Sequence, residues 1–365
     1  MIRIPKTLSR YLSLTFSLNL LGMAAILLGL IYMLDMVELL RRAAKFENVP
    51  LSLVIQMGFL KLPDIGQTIF PFIILFSALF TFWQLSRRQE LVVLRSAGVS
   101  VWQFLAPIAA VAAAAGLLVA FVVNPLGAIF YGKFRLLENM YLDSDHSTVA
   151  LFDEGLWLRQ ETLDGYAMLH ADKVEMPSWK LQEVTTFFFD KSDIFTKRID
   201  ADAAQLKAGE WVFQEAVQNS VNEQPVRVPT LILPTNLTTR EIEDSFSTPE
   251  TMGFWNLPSF IATLDKTGFD STRLRIHFQT LLAQPFLFMS MILLAAAVAL
   301  RPQRQGGTFL FIVGGVVIGF VMFFLSSFLQ AMGASHQIPV FLAAWSPALL
   351  GSLLGIAALL TLEDG

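Results

Sequence analysis

Six stretches of the chain run without Asp, Glu, Lys or Arg for roughly 20 residues each, long enough to cross a hydrocarbon layer of about 30 Å as helices. They are Leu12–Leu34, Ile65–Leu85, Val101–Val123, Phe278–Leu300, Thr308–Gln330 and Ile338–Leu360. Such a layer offers no water to the backbone amides, so each stretch must satisfy its own polar groups as a helix. A multi-pass membrane protein follows before any motif is read. The 15% charged residues and 32 phenylalanines point the same way. The first run is too long for a signal-peptide core and has no small-residue cleavage site behind it, so it reads as a retained span.

Basic residues close to a span resist translocation, which sets the expected orientation. Arg3, Lys6 and Arg10 precede the first span, Arg87, Arg88 and Arg95 lie between spans two and three, and Arg301 and Arg304 between four and five. The opposite short loops hold Arg41, Arg42, Lys45 and Lys61 after span one and none between spans five and six. Both termini are therefore expected on the cytoplasmic side.

Between spans three and four the pattern changes. GLWLRQ, GYAMLHADKVE, EVTTFFFD, GEWVFQEAVQNSV and RVPTLILP are short, aromatic and β-branched, and separated by Gly, Pro, Asn or Asp. They predict an all-β sandwich or jelly-roll-like domain over 143–246 on the far side of the membrane. After it, Leu257, Phe260, Ile261 and Leu264 recur at helical spacing behind Pro249, which predicts an amphipathic helix at the membrane surface. The expected layout is spans one to three over 1–142, the β domain over 143–246, and the surface helix with spans four to six over 247–365. The two halves show no sequence repeat.

Several chemistries are absent. The net charge of −4 and the lack of a basic stripe argue against nucleic acid as a partner. Without cysteine there are no disulfides and no thiol-ligated metals. There is no P-loop, no H-E-x-x-H and no G-x-S-x-G, and His146, His170, His277 and His336 are scattered rather than at ligand spacing. No catalytic or metal site is expected. No ionisable residue falls inside the six runs, which argues against a self-powered secondary transporter.

One cytoplasmic segment asks for a role. RRQELVVLRSAGVS, Arg87 to Ser100, reads as a short amphipathic helix over 87–98 with Glu90, Leu91, Leu94 and Arg95 along one face and Val93 and Ala97 near it. Gly98 can end it and Ser100 can open the third span as an N-cap. A groove on a soluble partner and the lipid surface are both open as its seat.

Several motifs resemble the lipopolysaccharide export permeases, the LptF/LptG family, over nearly the whole chain and more closely on the LptG side. They are MLD (Met33–Asp35), LPDIGQTIFPFIILFSAL (Leu62–Leu79), RRQELVVLRSAGVS, NPLG (Asn124–Gly127), FQTLLAQPF (Phe278–Phe286), GGVVIGFVMFF (Gly314–Phe324) and Ile338–Pro339. The most specific is E-L-x-x-x-x-x-x-G at Glu90, Leu91 and Gly98. The resemblance implies six membrane helices with an inserted periplasmic jelly roll. It implies a heterodimer with an LptF-type permease above a soluble ABC ATPase dimer. It also implies contact with a single-span LptC-type protein and with periplasmic jelly-roll proteins that receive the lipopolysaccharide. ATP and Mg would be bound by the partner ATPase, leaving this chain a non-catalytic subunit without a cofactor. RRQELVVLRSAGVS would be the coupling helix, with Glu90, Leu91, Leu94, Arg95 and Gly98 as coupling residues.

Lipopolysaccharide is an anionic amphiphile, so its site needs apolar walls and cations at their rim. Rim candidates are Arg41, Arg42, Lys45, Lys133 and Arg135, with snorkelling to phospholipid headgroups as their plain alternative. Arg273 and Arg275 beside span four read as lipid anchors. Phe320, Phe323 and Phe324 on span five are candidate wall residues, and Gly314, Gly315 and Gly319 thin that span for close helix approach. Where some relatives have a Lys at the outer end of span one, this chain has Tyr32 or its neighbours. Three rivals remain at this stage: the LptF-type paralogue of the same exporter, a membrane anchor that presents a β domain, and a membrane-bound hydrolase.

Overall fold

The computed structural model describes residues 6–46, 49–142, 148–152, 155–162, 165–175, 179–207, 209–220, 224–235, 251–267, 270–299 and 308–363. Arg3, His146, Arg301 and Arg304 lie outside them. Among these residues six helices are long and apolar enough to cross a membrane. The first three are α1 (Lys6–Ala43), α2 (Leu51–Arg87) and the run from α4 (Val101–Leu118) into α5 (Asn124–Tyr141). The others are α7 (Thr272–Ala299), α8 (Thr308–Ala334) and α9 (Val340–Glu363), while α3 (Glu90–Ser96) and α6 (Leu257–Thr267) are short. The chain is a helical membrane protein with an inserted β domain, as expected.

The helices exceed the charge-free runs that predicted them. At 38 residues, α1 is about 57 Å long, nearly twice the hydrocarbon thickness. Charged turns continue the helix because opposite charges three residues apart support it, as Arg41 and Glu38 do at 2.8 Å.

The chain divides into two compact units. The first gathers the membrane helices around one apolar cluster: Phe16 of α1, Phe82 of α2, Phe104 of α4, Phe288 and Ile292 of α7, Met322 of α8 and Leu359 of α9. Backbone-level contact fixes α4 against α7, since a Cβ on Gly116 would lie 2.5 Å from the Cα of Pro285. The third span is not one regular helix. A five-residue π-helical turn, Val119–Val123, separates α4 from α5. It is followed by Asn124, which is buried and donates to Gln67 Oε1 at 2.9 Å while accepting from the Phe254 amide at 2.8 Å. Buried amides need such partners, and here they join α2, α5 and the segment after the β domain.

The second unit contains one antiparallel sheet of seven strands in sequence order: β1 (Thr148–Phe152), β2 (Gly155–Thr162), β3 (Gly165–Glu175), β4 (Lys180–Asp190), β5 (Phe195–Lys207), β6 (Glu210–Ser220) and β7 (Val226–Pro234). It is a meander, with no pairing between non-consecutive strands among the described residues. It curls rather than lying flat. The β4–β5 pairing shifts register between Phe188 and Phe189, and such a bulge increases strand twist, while Glu183 and Glu215 adopt left-handed φ of 54° and 51° at gaps in the ladders that leave the register unchanged. The side chain of Gln160 on β2 reaches across to the carbonyl of Pro234 at the end of β7. Leu158, Leu169, Ile199, Trp211 and Phe213 are buried on the inner face.

The predicted surface helix is present as α6, and Leu257 and Leu264 of its stripe are buried. It groups with the β unit, which takes in Leu257–Leu274, and it packs along β3.

Candidate functional site

α2 ends at Arg87, and Gln89 turns the chain through a left-handed φ of 57° into α3. The expected helix over 87–98 is thus a break at Arg88 and Gln89 followed by Glu90–Ser96. Its end is built as the sequence suggests. Gly98 has φ of +76°, and the Val99 amide reaches back to the Leu94 carbonyl at 3.1 Å. Ser100 and Gln103 then form a reciprocal capping box at the start of α4.

Such a short helix cannot hold itself together, so its anchor matters. Leu91 is 7% exposed and belongs to the central apolar cluster with Leu12, Phe16, Val101 and Phe104. Burying a leucine is worth about 1.5–3 kcal/mol, enough to pin one turn. The same turn leaves Val92 and Val93 each 64% exposed. Leu94 is half-buried and Gly98 is exposed; the side chain of Arg95 is outside the described residues. Glu90 faces α1, where the Tyr11 hydroxyl lies 3.1 and 2.9 Å from its two carboxylate oxygens, and Arg88 Nη1 stands 4.0 Å away. The structure therefore turns the predicted face inward, with Leu91 buried, Leu94 half-buried and Glu90 against α1, and leaves Val92 and Val93 on the outward side. Sequence reasoning placed Val93 near that face and did not single out Val92, because it expected Leu91 and Leu94 to be the apolar side offered to a partner, whereas they are the side that meets the core.

At the other end of α1 the rim candidates have distinct surroundings. The guanidinium of Arg41 holds both oxygens of Glu38, at 2.8 and 2.9 Å. Arg42 is half-buried and Lys45 exposed. Beside them, Leu40, Ala43, Phe46, Pro50, Leu51 and Val54 line a shallow apolar hollow of about 550 Å³. On α5, Lys133 is exposed and Arg135 lies over the Tyr131 ring at 5.6 Å. α1, α2 and α5 converge on a residue not singled out from the sequence: Lys61 bonds Asp35 at 2.5 Å and sits 5.6 Å from the centre of the Phe134 ring. Asp35 ends the first charge-free run and Lys61 lies just before the second, so equal depth on adjacent antiparallel helices was the available signal.

On α8, Phe320, Phe323 and Phe324 are exposed and cluster around Phe72 of α2, whose ring centre is 6.0 Å from Phe320 and 5.7 Å from Phe323. The span-five glycines serve packing within the chain. A Cβ on Gly319 would meet Phe72 at 3.0 Å, one on Gly315 would meet Leu79, and one on Gly314 Val298 at 3.6 Å. The middle of α1 exposes Ile26, Leu30, Met33 and Val37 at helical spacing.

Comparison with known proteins gives a consistent result. The model of the family described as lipopolysaccharide export system permease LptF/LptG matches residues 10–361. The lipopolysaccharide export system permease protein LptG of Haemophilus influenzae is 25% identical over 350 residues, spanning 94% of this chain and 95% of that protein. A family match that runs from α1 to α9, through every element described above, places this multi-pass inner-membrane chain in the LptF/LptG family of lipopolysaccharide export permeases.

Proposed function

We propose that this chain is the LptG-type, non-catalytic permease of an ATP-driven exporter that extracts lipopolysaccharide from the inner membrane and passes it to a periplasmic jelly-roll bridge. The observation that carries the reading is α3. A seven-residue helix is bolted to the core by Leu91 while Val92 and Val93 stand exposed beside a carboxylate. That is the form of a knob for a groove on a soluble protein, here the ABC ATPase dimer at the cytoplasmic face. The basic-residue count supports that sidedness, with the β unit periplasmic. A membrane anchor would have no use for such a knob. ATP and Mg belong to the ATPase on this reading, and the exposed apolar faces of α1 and α8 suit an LptF-type permease and a single-span LptC-type helix.

Co-purification in detergent with the second permease and the ATPase tests the reading. Val92→Asp with Val93→Asp is expected to weaken ATPase association by about tenfold or more, since each exposed valine offers about 1.5–3 kcal/mol on full burial. The double variant should still fold, because neither side chain is in the core. If wild type binds no ATPase under conditions that preserve related complexes, the chain is an anchor.

For the substrate, the reading uses the apolar hollow beside Arg41, Arg42 and Lys45 and the exposed cations Lys133 and Arg135, a pairing that suits phosphorylated glucosamine above acyl chains. Photocrosslinking of lipopolysaccharide to the assembled complex is expected to fall severalfold more in Arg135→Glu than in Arg273→Glu. Equal losses would mean diffuse headgroup attraction.

A further inference from the structure

We propose that Tyr11 is a positioning residue of the exporter: it latches the docking helix to the first span, so that force applied to α3 is passed to α1. This deepens the reading of α3 as the ATPase-docking helix and rests on it. Two adjacent residues on each helix make the joint. Leu12 of α1 and Leu91 of α3 enter the same apolar cluster, which fixes the turns that carry them. Their neighbours Tyr11 and Glu90 meet at the surface edge of that cluster, with the hydroxyl 3.1 and 2.9 Å from the two carboxylate oxygens. One phenolic proton shared across both oxygens sets the plane of the carboxylate, and hydrogen bonds to ionised groups are the stronger kind.

The rest of α1 explains why a latch at this point matters. The helix buries Leu12 and Phe16 near one end and Leu39 and Ala43 near the other, while its middle lies along α2 on one side, through Asn19, Leu28 and Tyr32, and is exposed on the other at Ile26, Leu30, Met33 and Val37. A helix open along one face can shift with the end that α3 grips. At this end the polar connection to α3 is Tyr11 to Glu90. A partner cation drawn to Glu90 therefore pulls on α1 through a hydroxyl as well as through packing. Tyr11 touches neither substrate nor nucleotide on this reading; it acts by orienting Glu90.

Tyr11→Phe deletes the hydroxyl and keeps the ring. The chain has no cysteine, so a single Ala97→Cys carries a nitroxide label on the segment behind α3 without competing sites. On the permease alone, Tyr11→Phe is expected to raise the mobility of that label, which loss of packing elsewhere would not do. In the complex reconstituted with the second permease and the ATPase, association and ATP hydrolysis are expected within about twofold of wild type. Lipid extracted per ATP is expected to fall about three- to tenfold, the equivalent of one hydrogen bond to a partly solvated carboxylate. In a Glu90→Gln background, Tyr11→Phe should cost markedly less, because the two residues act as one. Unchanged label mobility with unchanged yield per ATP overturns the latch, as does a full additional loss on top of Glu90→Gln. Failure of wild type to bind the ATPase overturns the docking reading instead, while the label measurement on the permease alone still decides whether Tyr11 holds α3.

Discussion

Gly116→Ala is expected to lower the yield of folded, monodisperse protein sharply and to depress its thermal midpoint, although alanine is the better helix former by about 1 kcal/mol. The added Cβ would lie 2.5 Å from Pro285 Cα and 2.8 Å from Pro285 N, inside any tolerable contact. The obstacle is backbone, so no rotamer change relieves it. Either α4 and α7 separate by about an ångström along their length, or one of them bends. Separation would open voids around Ile108, Ala112, Phe288 and Ile292, which now lie in the common cluster, and overpacking of this kind costs about 1–3 kcal/mol or more. Gly132→Ala on α5 is the control, because a Cβ there meets nothing within 4 Å. It should leave stability unchanged or slightly raised. Equal behaviour of the two variants would mean that α4 and α7 do not approach closely at Gly116.

The membrane helices were legible because the signal behind them is long and needs no tertiary context. Twenty residues without charge can satisfy their backbone in lipid only as a helix. Their ends were not legible, since α1 continues through Glu38 and Arg41 on local ion pairing that hydropathy does not register. The break in the third span was hidden as well. One π turn at Val119–Val123 changes hydrogen bonding without changing composition, and only the burial of Asn124 shows what the turn is for.

In the β unit, the strands with large inward residues were visible from alternation. β5 was not, because its inner face includes Ala201 and Ala204 among Ile199 and Leu206, and the run DADAAQ carries little hydrophobic contrast. Small residues there suit a sheet that curls inward, where facing side chains such as Trp211 need room. The left-handed residues Glu183 and Glu215 also break the period of two, so Leu181 and Val184 both point inward at a spacing of three. At the candidate site, Gly98 and Ser100 announced themselves through residue chemistry. The outward face did not, since which side of α3 is covered depends on Leu91 seating against Leu12, Phe16 and Phe104, which lie far away in the sequence or on other helices.

Glu90→Ala is expected to abolish lipid export in the assembled exporter while the permease remains folded and inserted. The fold survives because Leu91 anchors α3 and Glu90 contributes to it only a surface hydrogen bond, a 4.0 Å contact with Arg88 and a helix-terminal charge worth about 0.3–1 kcal/mol. Docking is a different matter. On the proposed reading, the carboxylate is enclosed at the interface and faces a cation of the ATPase. Truncating one partner of such a pair costs about 2–5 kcal/mol, or about 30-fold to several thousand-fold in the affected equilibrium, chiefly because the other charge is left buried alone. Arg88→Ala supplies the contrast: its guanidinium is exposed and only grazes Glu90, so export should change by less than about fivefold. Export would be followed as lipopolysaccharide released from proteoliposomes per ATP hydrolysed, with insertion checked on the same samples. A loss no larger than that of Tyr11→Phe would mean that α3 engages its partner through Val92 and Val93 alone, and that the carboxylate serves only to fasten α3 to Tyr11. Normal release from Glu90→Ala would overturn both roles of the carboxylate.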